Sequence, residues 1–143
     1  MGTVEFNLDN VYPLESSDDN KIYPFYDSLK KGTLTTTRCR KCGEKHWPPR
    51  TLCPACWSND LEWVDLPKTG EIDCFVTQVA GLPPGFESPL VLAVIKIGGV
   101  KIFSQIVDTD PNYLRDGTTV ELKVQQVSDG RVIPFWRATR GRN

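Results

Sequence analysis

The chain has 143 residues, 39% of them hydrophobic and 24% charged, with a net charge of −1. That is enough apolar content for one ordinary domain or two small ones, and the charge is too balanced for a disordered chain. No apolar run is long enough to cross a bilayer and no signal-peptide pattern opens the sequence, so a cytoplasmic protein is expected.

Residues 1–20 carry five acids and little periodicity and read as a loose lead-in. Ile22, Phe25, Tyr26 and Leu29 then fall at helical spacing. Pro24 suits a first turn and Gly32 a stop, which predicts a short helix over 24–31. Such a helix is unstable alone, so its aromatic face must pack on its own ribbon or on a partner. Thr33 to Thr37 reads as a strand.

Two Cys-x-x-Cys knuckles follow, Cys39–Cys42 and Cys53–Cys56, with Gly43 after the first. This spacing can set four thiolates at the corners of one tetrahedron, which is how a closed structural Zn²⁺ site is built. Disulfides are disfavoured in a reducing compartment. Iron has the same geometry, but a redox role needs electron partners for which the sequence has no sign. His46, the sole histidine, is expected to be a loop residue, because four cysteines already complete the shell.

Beyond Trp57 the periodicity becomes two. Strands are expected over 71–80, with Ile72, Cys74 and Val76 on one inward face, then 90–97, 100–107, 119–125 and 132–139, where Pro134 suggests an edge. Gly98-Gly99 makes a hairpin, and Asp110-Pro111 opens one helical turn. Five strands with a short helix between the third and fourth is the order of an OB-fold barrel. Cys74 is expected in its core as a small apolar residue. The loop 81–89, stiffened by Pro83, Pro84 and Pro89, displays Phe86 where OB-folds touch ligands. The expected fold class is therefore mostly β: a helix and lead-in (1–32), a zinc ribbon (33–66) and a five-stranded OB-fold domain (67–143).

Charge is unevenly spread along this plan. Residues 38–56 hold five Lys/Arg against Glu44, and 131–143 hold four Arg, whereas 57–130 hold eleven acids against five basic residues. A phosphate-bearing ligand could sit at a basic edge; plain solvated surface charge is the alternative.

In this order the parts resemble the DUF35 family. The matching residues are Phe25-Tyr-Asp-Ser-Leu29 before Gly32, Cys39-Arg-Lys-Cys42-Gly43, Pro48-Pro49-Arg50, Cys53-Pro-Ala-Cys56, Gly70, Pro83-Pro84-Gly85-Phe86 with Pro89, and Asp116-Gly117. They cover about 22–140. Trp57 stands where the second knuckle usually has Gly, which leaves the shape of that turn open.

The resemblance implies a rubredoxin-like zinc ribbon and a non-catalytic partner of a thiolase-superfamily enzyme, of thiolase, HMG-CoA synthase or retro-aldolase type. That partner supplies the catalytic Cys and His, and the OB-fold helps form the path for coenzyme A or its acyl chain. Phe86 is then the candidate for the acyl or pantetheine arm, and Arg137 and Arg140 for the phosphates. Tyr23, Phe25, Tyr26 and Trp47 are the candidates for docking. Two other readings stand beside it. A nucleic-acid binder would stack bases on Trp47, Phe86 and Trp136, but the acidic barrel opposes it; the other is a rubredoxin-like electron carrier.

Overall fold

The structure, a computed structural model, describes residues 21–126 and 132–139. Helix α1 spans Tyr23–Lys30 with Pro24 in its first turn. Gly32, at φ +79°, ends it: its N–H bonds the Leu29 carbonyl while Thr33 N–H reaches back to Ser28, a Schellman closure. Phe25 and Leu29 point into the protein's own core, and the Phe25 ring meets Tyr26 and Trp47 edge-on at 5.2 and 5.7 Å. The short helix is thus stabilised by its own chain.

A two-stranded antiparallel ribbon pairs β1 (Thr35–Cys39) with β2 (Leu61–Asp65). β1 begins two residues later than its periodicity suggests. Thr35 lies opposite Asp65 at the base of the ribbon, and Cys39 opposite Leu61 at its tip. Leu34 and Leu66, joined by a 2.8 Å backbone bond, seat the base in the barrel's core cluster. Lys45 Nζ donates to the Gly98 carbonyl at 2.8 Å, clamping the ribbon to a barrel hairpin.

The barrel is built from β3 (Thr69–Gln78), β4 (Leu90–Ile97), β5 (Val100–Ile106), β6 (Thr119–Gln126) and β7 (Val132–Ala138). It closes in the order β3-β4-β5-β7-β6, with a 3-10 turn at Pro111–Tyr113 between β5 and β6. That is the five-stranded OB-fold arrangement. Ile72, Val91, Ala93, Ile95, Ile102, Val120 and Trp136 fill it. Pro134 is not on an open edge. β7 meets β5 through the single parallel pair Ile106–Trp136, so a residue without N–H is tolerated on that sparse side.

The expected inward face of β3 is corrected by a bulge. Against β4 the register shifts between Ile72 and Cys74, leaving Asp73 as the extra residue. One extra residue reverses every later side chain. Ile72 stays buried, Phe75 turns inward, and Cys74 and Val76 are exposed. Cys74 is therefore a surface residue, not a core one.

Candidate metal centre and ligand faces

At the ribbon tip the two knuckles fold alike. Cys39 N–H bonds the Glu44 carbonyl and Gly43 N–H the Cys39 carbonyl; Cys53 N–H bonds Ser58 and Trp57 N–H bonds Cys53, all at 2.8–2.9 Å. Gly43 and Trp57 hold equivalent positions, and both have positive φ, +79° and +61°. Trp57 thus adopts the conformation that glycine adopts without strain. Its ring is 74% exposed.

The four Sγ atoms lie within 4.8 Å of one another, with Cys39–Cys56 and Cys42–Cys53 at 3.6 Å. Sulfurs about 2.3 Å from one ion sit about 3.8 Å apart on a regular tetrahedron, so the cluster has the size of a metal shell. It is too open for disulfides. The Cys42 N–H points at Cys39 Sγ and, with the Lys41 N–H, brings that thiol down to about 6 despite its burial. The Glu44 N–H acts the same way on Cys42, but burial and the sulfurs of Cys53, Cys39 and Cys56 push it up to about 12. Cys56 is raised as well: the Ser58 N–H lowers it, but burial and the Cys39 and Cys53 sulfurs outweigh that pull. Four thiolates cannot coexist here without a bound cation, and a soft, tetrahedral, all-sulfur set fits Zn²⁺ or iron.

His46 is outside this cluster, as expected, but it is no surface loop residue. It is 4% exposed, with Nδ1 3.2 Å from Thr37 Oγ1.

The expected ligand residues do not converge. Phe86 stands exposed on the 79–89 loop that follows Gln78 of β3. Arg137 lies opposite Glu121, which lies opposite Thr69 at the other end of β3. Nine residue steps at about 3.3 Å separate Thr69 from Gln78 by roughly 30 Å along the strand, so the Phe86 loop and Arg137 belong to opposite ends of β3. Arg137 Nε also donates to Glu121 at 2.6 Å, beside a cavity of about 1140 Å³ whose other charged walls among the described residues are Asp108, itself paired with Lys123, and Asp110. The Asp110 carboxylate repels a polyphosphate, and the Arg137 charge that would attract one is already taken by Glu121. Arg140 lies outside the described residues. Of the aromatics considered for base stacking, Trp136 is fully buried and Trp47 half-buried.

One face was not expected. On the barrel's outer surface Cys74, Val94 and Phe103 stand in a row across β3, β4 and β5, with Val76, Leu92 and Gln105 in the next. Phe103 is 67% and Val76 62% exposed, and Val79 extends the apolar surface toward the loop. A closed barrel of this kind commonly shows water a polar outer face, as β6 does with Glu121, Lys123 and Gln125. The Asp73 bulge adds Cys74 and Val76 to the outward residues of β4 and β5. Lys96 and Lys101 at its end are both held by Asp73.

The model for the ChsH2 rubredoxin-like zinc ribbon domain matches residues 27–62. A benzoylsuccinyl-CoA thiolase subunit, BbsA, of Thauera aromatica is 33% identical over 66% of this chain and 65% of its own. A probable enoyl-CoA hydratase alpha subunit of Thermomonospora curvata is 26% identical over 83% of this chain, which spans only 37% of that protein. A solved structure of an Ltp2-ChsH2(DUF35) aldolase superposes with a TM-score of 0.75 at 25% identity, covering 83% of this chain and 95% of that one. A DUF35 domain-containing scaffold protein of Methanocaldococcus jannaschii is 33% identical over 71% of this chain and 77% of its own length. The chain belongs to the DUF35 family.

Proposed function

We propose that this chain is an accessory subunit that docks on a thiolase-superfamily enzyme through the outer strip of its barrel and helps to border that enzyme's acyl-CoA site. The observation that carries the proposal is the strip itself, an apolar surface on the strands that OB-folds use for ligands, continuous with the loop bearing Phe86. The relatives support the kind of partner, being a thiolase subunit, scaffold proteins and part of an aldolase assembly. Tyr23, Tyr26 and Trp47, half-buried at the helix–ribbon seam, are further contact candidates, whereas Phe25 serves the chain's own core. The enzyme supplies the chemistry. This chain's sole histidine is buried and engaged by Thr37, which removes the usual general base from reach. Phe86 suits an acyl or pantetheine arm reaching the loop end.

The ion in the ribbon is Zn²⁺ in this reading, and its work is structural, because an all-cysteine shell leaves no open position for substrate. Four free cysteines gathered for one ion suit a reducing, cytoplasmic setting.

Co-expression with a thiolase-superfamily enzyme from the same source is the test. A complex is expected to survive gel filtration and to change the enzyme's rate or its acyl-CoA affinity. Identical elution, rate and affinity with and without the chain refute the reading.

A further inference from the structure

We infer that a shallow concavity on the ribbon binds a nucleoside phosphate, with the anion on Arg50 and Lys21 and the base against Trp63. The inference is independent of the docking proposal. It starts from where the ribbon's positive charges go. Arg38 and Arg40 are taken up by Glu62 and Asp60, and Lys45 by the Gly98 carbonyl. Arg50 and Lys21 have no ion-pair partner among the described residues, and both line a concavity of about 430 Å³ with Thr37, Thr51, Leu61 and Trp63. Among the described residues no carboxylate lines it. This is the reverse of the cavity beside Arg137, whose cation is already paired and faces acids.

The site is held in place from beneath. Trp63 lies directly opposite Thr37 in the ribbon ladder. The Arg50 N–H donates to Thr37 Oγ1 at 2.8 Å, tying the loop that carries Arg50 to β1 through its backbone and leaving the guanidinium to the cavity. A guanidinium and an ammonium offer charge-assisted donors to phosphate oxygens, the former in bidentate fashion. The indole, 38% exposed, offers a flat face to a purine. Thr51 adds a hydroxyl at the wall. A volume of this size takes one small ligand, not a strand of nucleic acid. Two sources carry the chemistry: a free nucleotide, or the nucleotide end of a coenzyme such as coenzyme A.

The test titrates the full-length, metal-loaded protein with ADP, coenzyme A, inorganic pyrophosphate and adenosine, following heat and tryptophan fluorescence. ADP and coenzyme A are expected to compete for one site below about 1 mM, with pyrophosphate weaker and adenosine weaker still. A coenzyme A affinity well above that of ADP identifies the coenzyme as the source, and equal affinities identify the free nucleotide. Arg50→Gln and Lys21→Ala should each weaken ADP about tenfold, with metal content and elution unchanged. Trp63→Leu should abolish the fluorescence response, and Arg137→Gln should change nothing. Unaltered ADP binding in Arg50→Gln and Lys21→Ala overturns the inference, as does no saturation by either nucleotide. So does an oligonucleotide that binds far more tightly than ADP with a steep salt dependence, since that marks a nucleic-acid surface.

Discussion

Replacing Phe103 by Lys should break the proposed complex while leaving the subunit folded. A phenylalanine side chain presents about 150–250 Å² when fully accessible, and this one is 67% exposed. A partner that covers it therefore removes roughly 100–170 Å² of apolar surface from water. At about 25 cal/mol per Å² that is worth roughly 2.5–4 kcal/mol, or a factor of about 10² to 10³ in Kd. Immobilisation costs reduce the yield, so a loss of at least about tenfold is the firm expectation. The folded monomer loses almost nothing, because the ring contributes little to the core. Thermal melting, metal content and monomer elution should match those of the parent. Affinity for the enzyme is measured by titration calorimetry or biolayer interferometry, with Val76→Lys in the neighbouring row as a second variant. If both variants bind as tightly as the parent, the strip is not the docking face, even though the complex exists. If Phe103→Lys melts early, the ring has a structural role that its exposure contradicts.

Four further outcomes follow from the geometry. Cys53→Ser should lose the metal and unfold the ribbon tip, since metal binding supplies folding energy of about 10–16 kcal/mol in zinc peptides, while the barrel survives; elemental analysis and hydrogen exchange by segment will separate the two. Gly70→Ala should cost about 1–3 kcal/mol in urea unfolding, because a Cβ there comes within 2.6 Å of the Lys96 carbonyl and 2.9 Å of Ile95 Cγ2, and backbone cannot step aside. Trp57→Gly should be neutral or stabilise the metal-loaded ribbon by up to about 1 kcal/mol, whereas Gly43→Ala at the equivalent turn should cost about 1–2 kcal/mol; the two differ in sign although both sites are exposed. Lys101, through its hydrogen bond, and then Lys96 hold Asp73 below the usual carboxylate range; its contribution is therefore present above pH about 4 and is lost as pH falls through the depressed value, so parent and Asp73→Asn should converge in stability only at strongly acid pH.

The parts that were legible in the residues are those that repeat. The cysteine spacing determines the sulfur cluster, and alternation from Thr119 to Gln125 and the apolar run from Leu90 to Ile97 mark strands now seen in the barrel. The bulge was not legible, because one extra residue at Asp73 changes neither composition nor period; only pairing with β4 exposes it. Cys74 and Val76, the β3 side of the outer strip, were hidden for that reason. Strand β2 was likewise obscure, since Leu61, Glu62, Trp63, Val64 and Asp65 alternate too briefly to stand out before Pro67. Arg137 looked like a free cation at a basic terminus. Its neutralisation by Glu121 depends on the β6–β7 register, a contact sixteen residues away in sequence. The helix illustrates the opposite case: its aromatic stripe was plain, but whether Phe25 met a partner or its own Trp47 depended on tertiary packing.

The position of the metal explains why it need not take part in any reaction. The ribbon is seated on the barrel at Leu34 and Leu66, beside the Thr35–Asp65 pair, whereas the sulfurs gather beyond the Cys39–Leu61 pair at the other end of the same ladder. Four strand residues at about 3.3 Å each separate the two ends by roughly 13 Å. The loop carrying Phe86 is farther still, at the end of β3 remote from Thr69. An ion so placed cannot polarise a group bound along the outer strip. What it can do is fix the loop between the knuckles, which contains His46, Trp47 and Arg50. That loop returns to β1 through His46 N–H on the Thr37 carbonyl and Arg50 N–H on the Thr37 hydroxyl. The same loop supplies Trp47 to the face of α1 and Lys45 to the barrel hairpin. A small ribbon with little core of its own thereby becomes rigid enough to hold the helix against the barrel and to present Arg50 on its outer side. The chemistry of the cluster goes into shape, and shape is what the proposed accessory role asks of this chain.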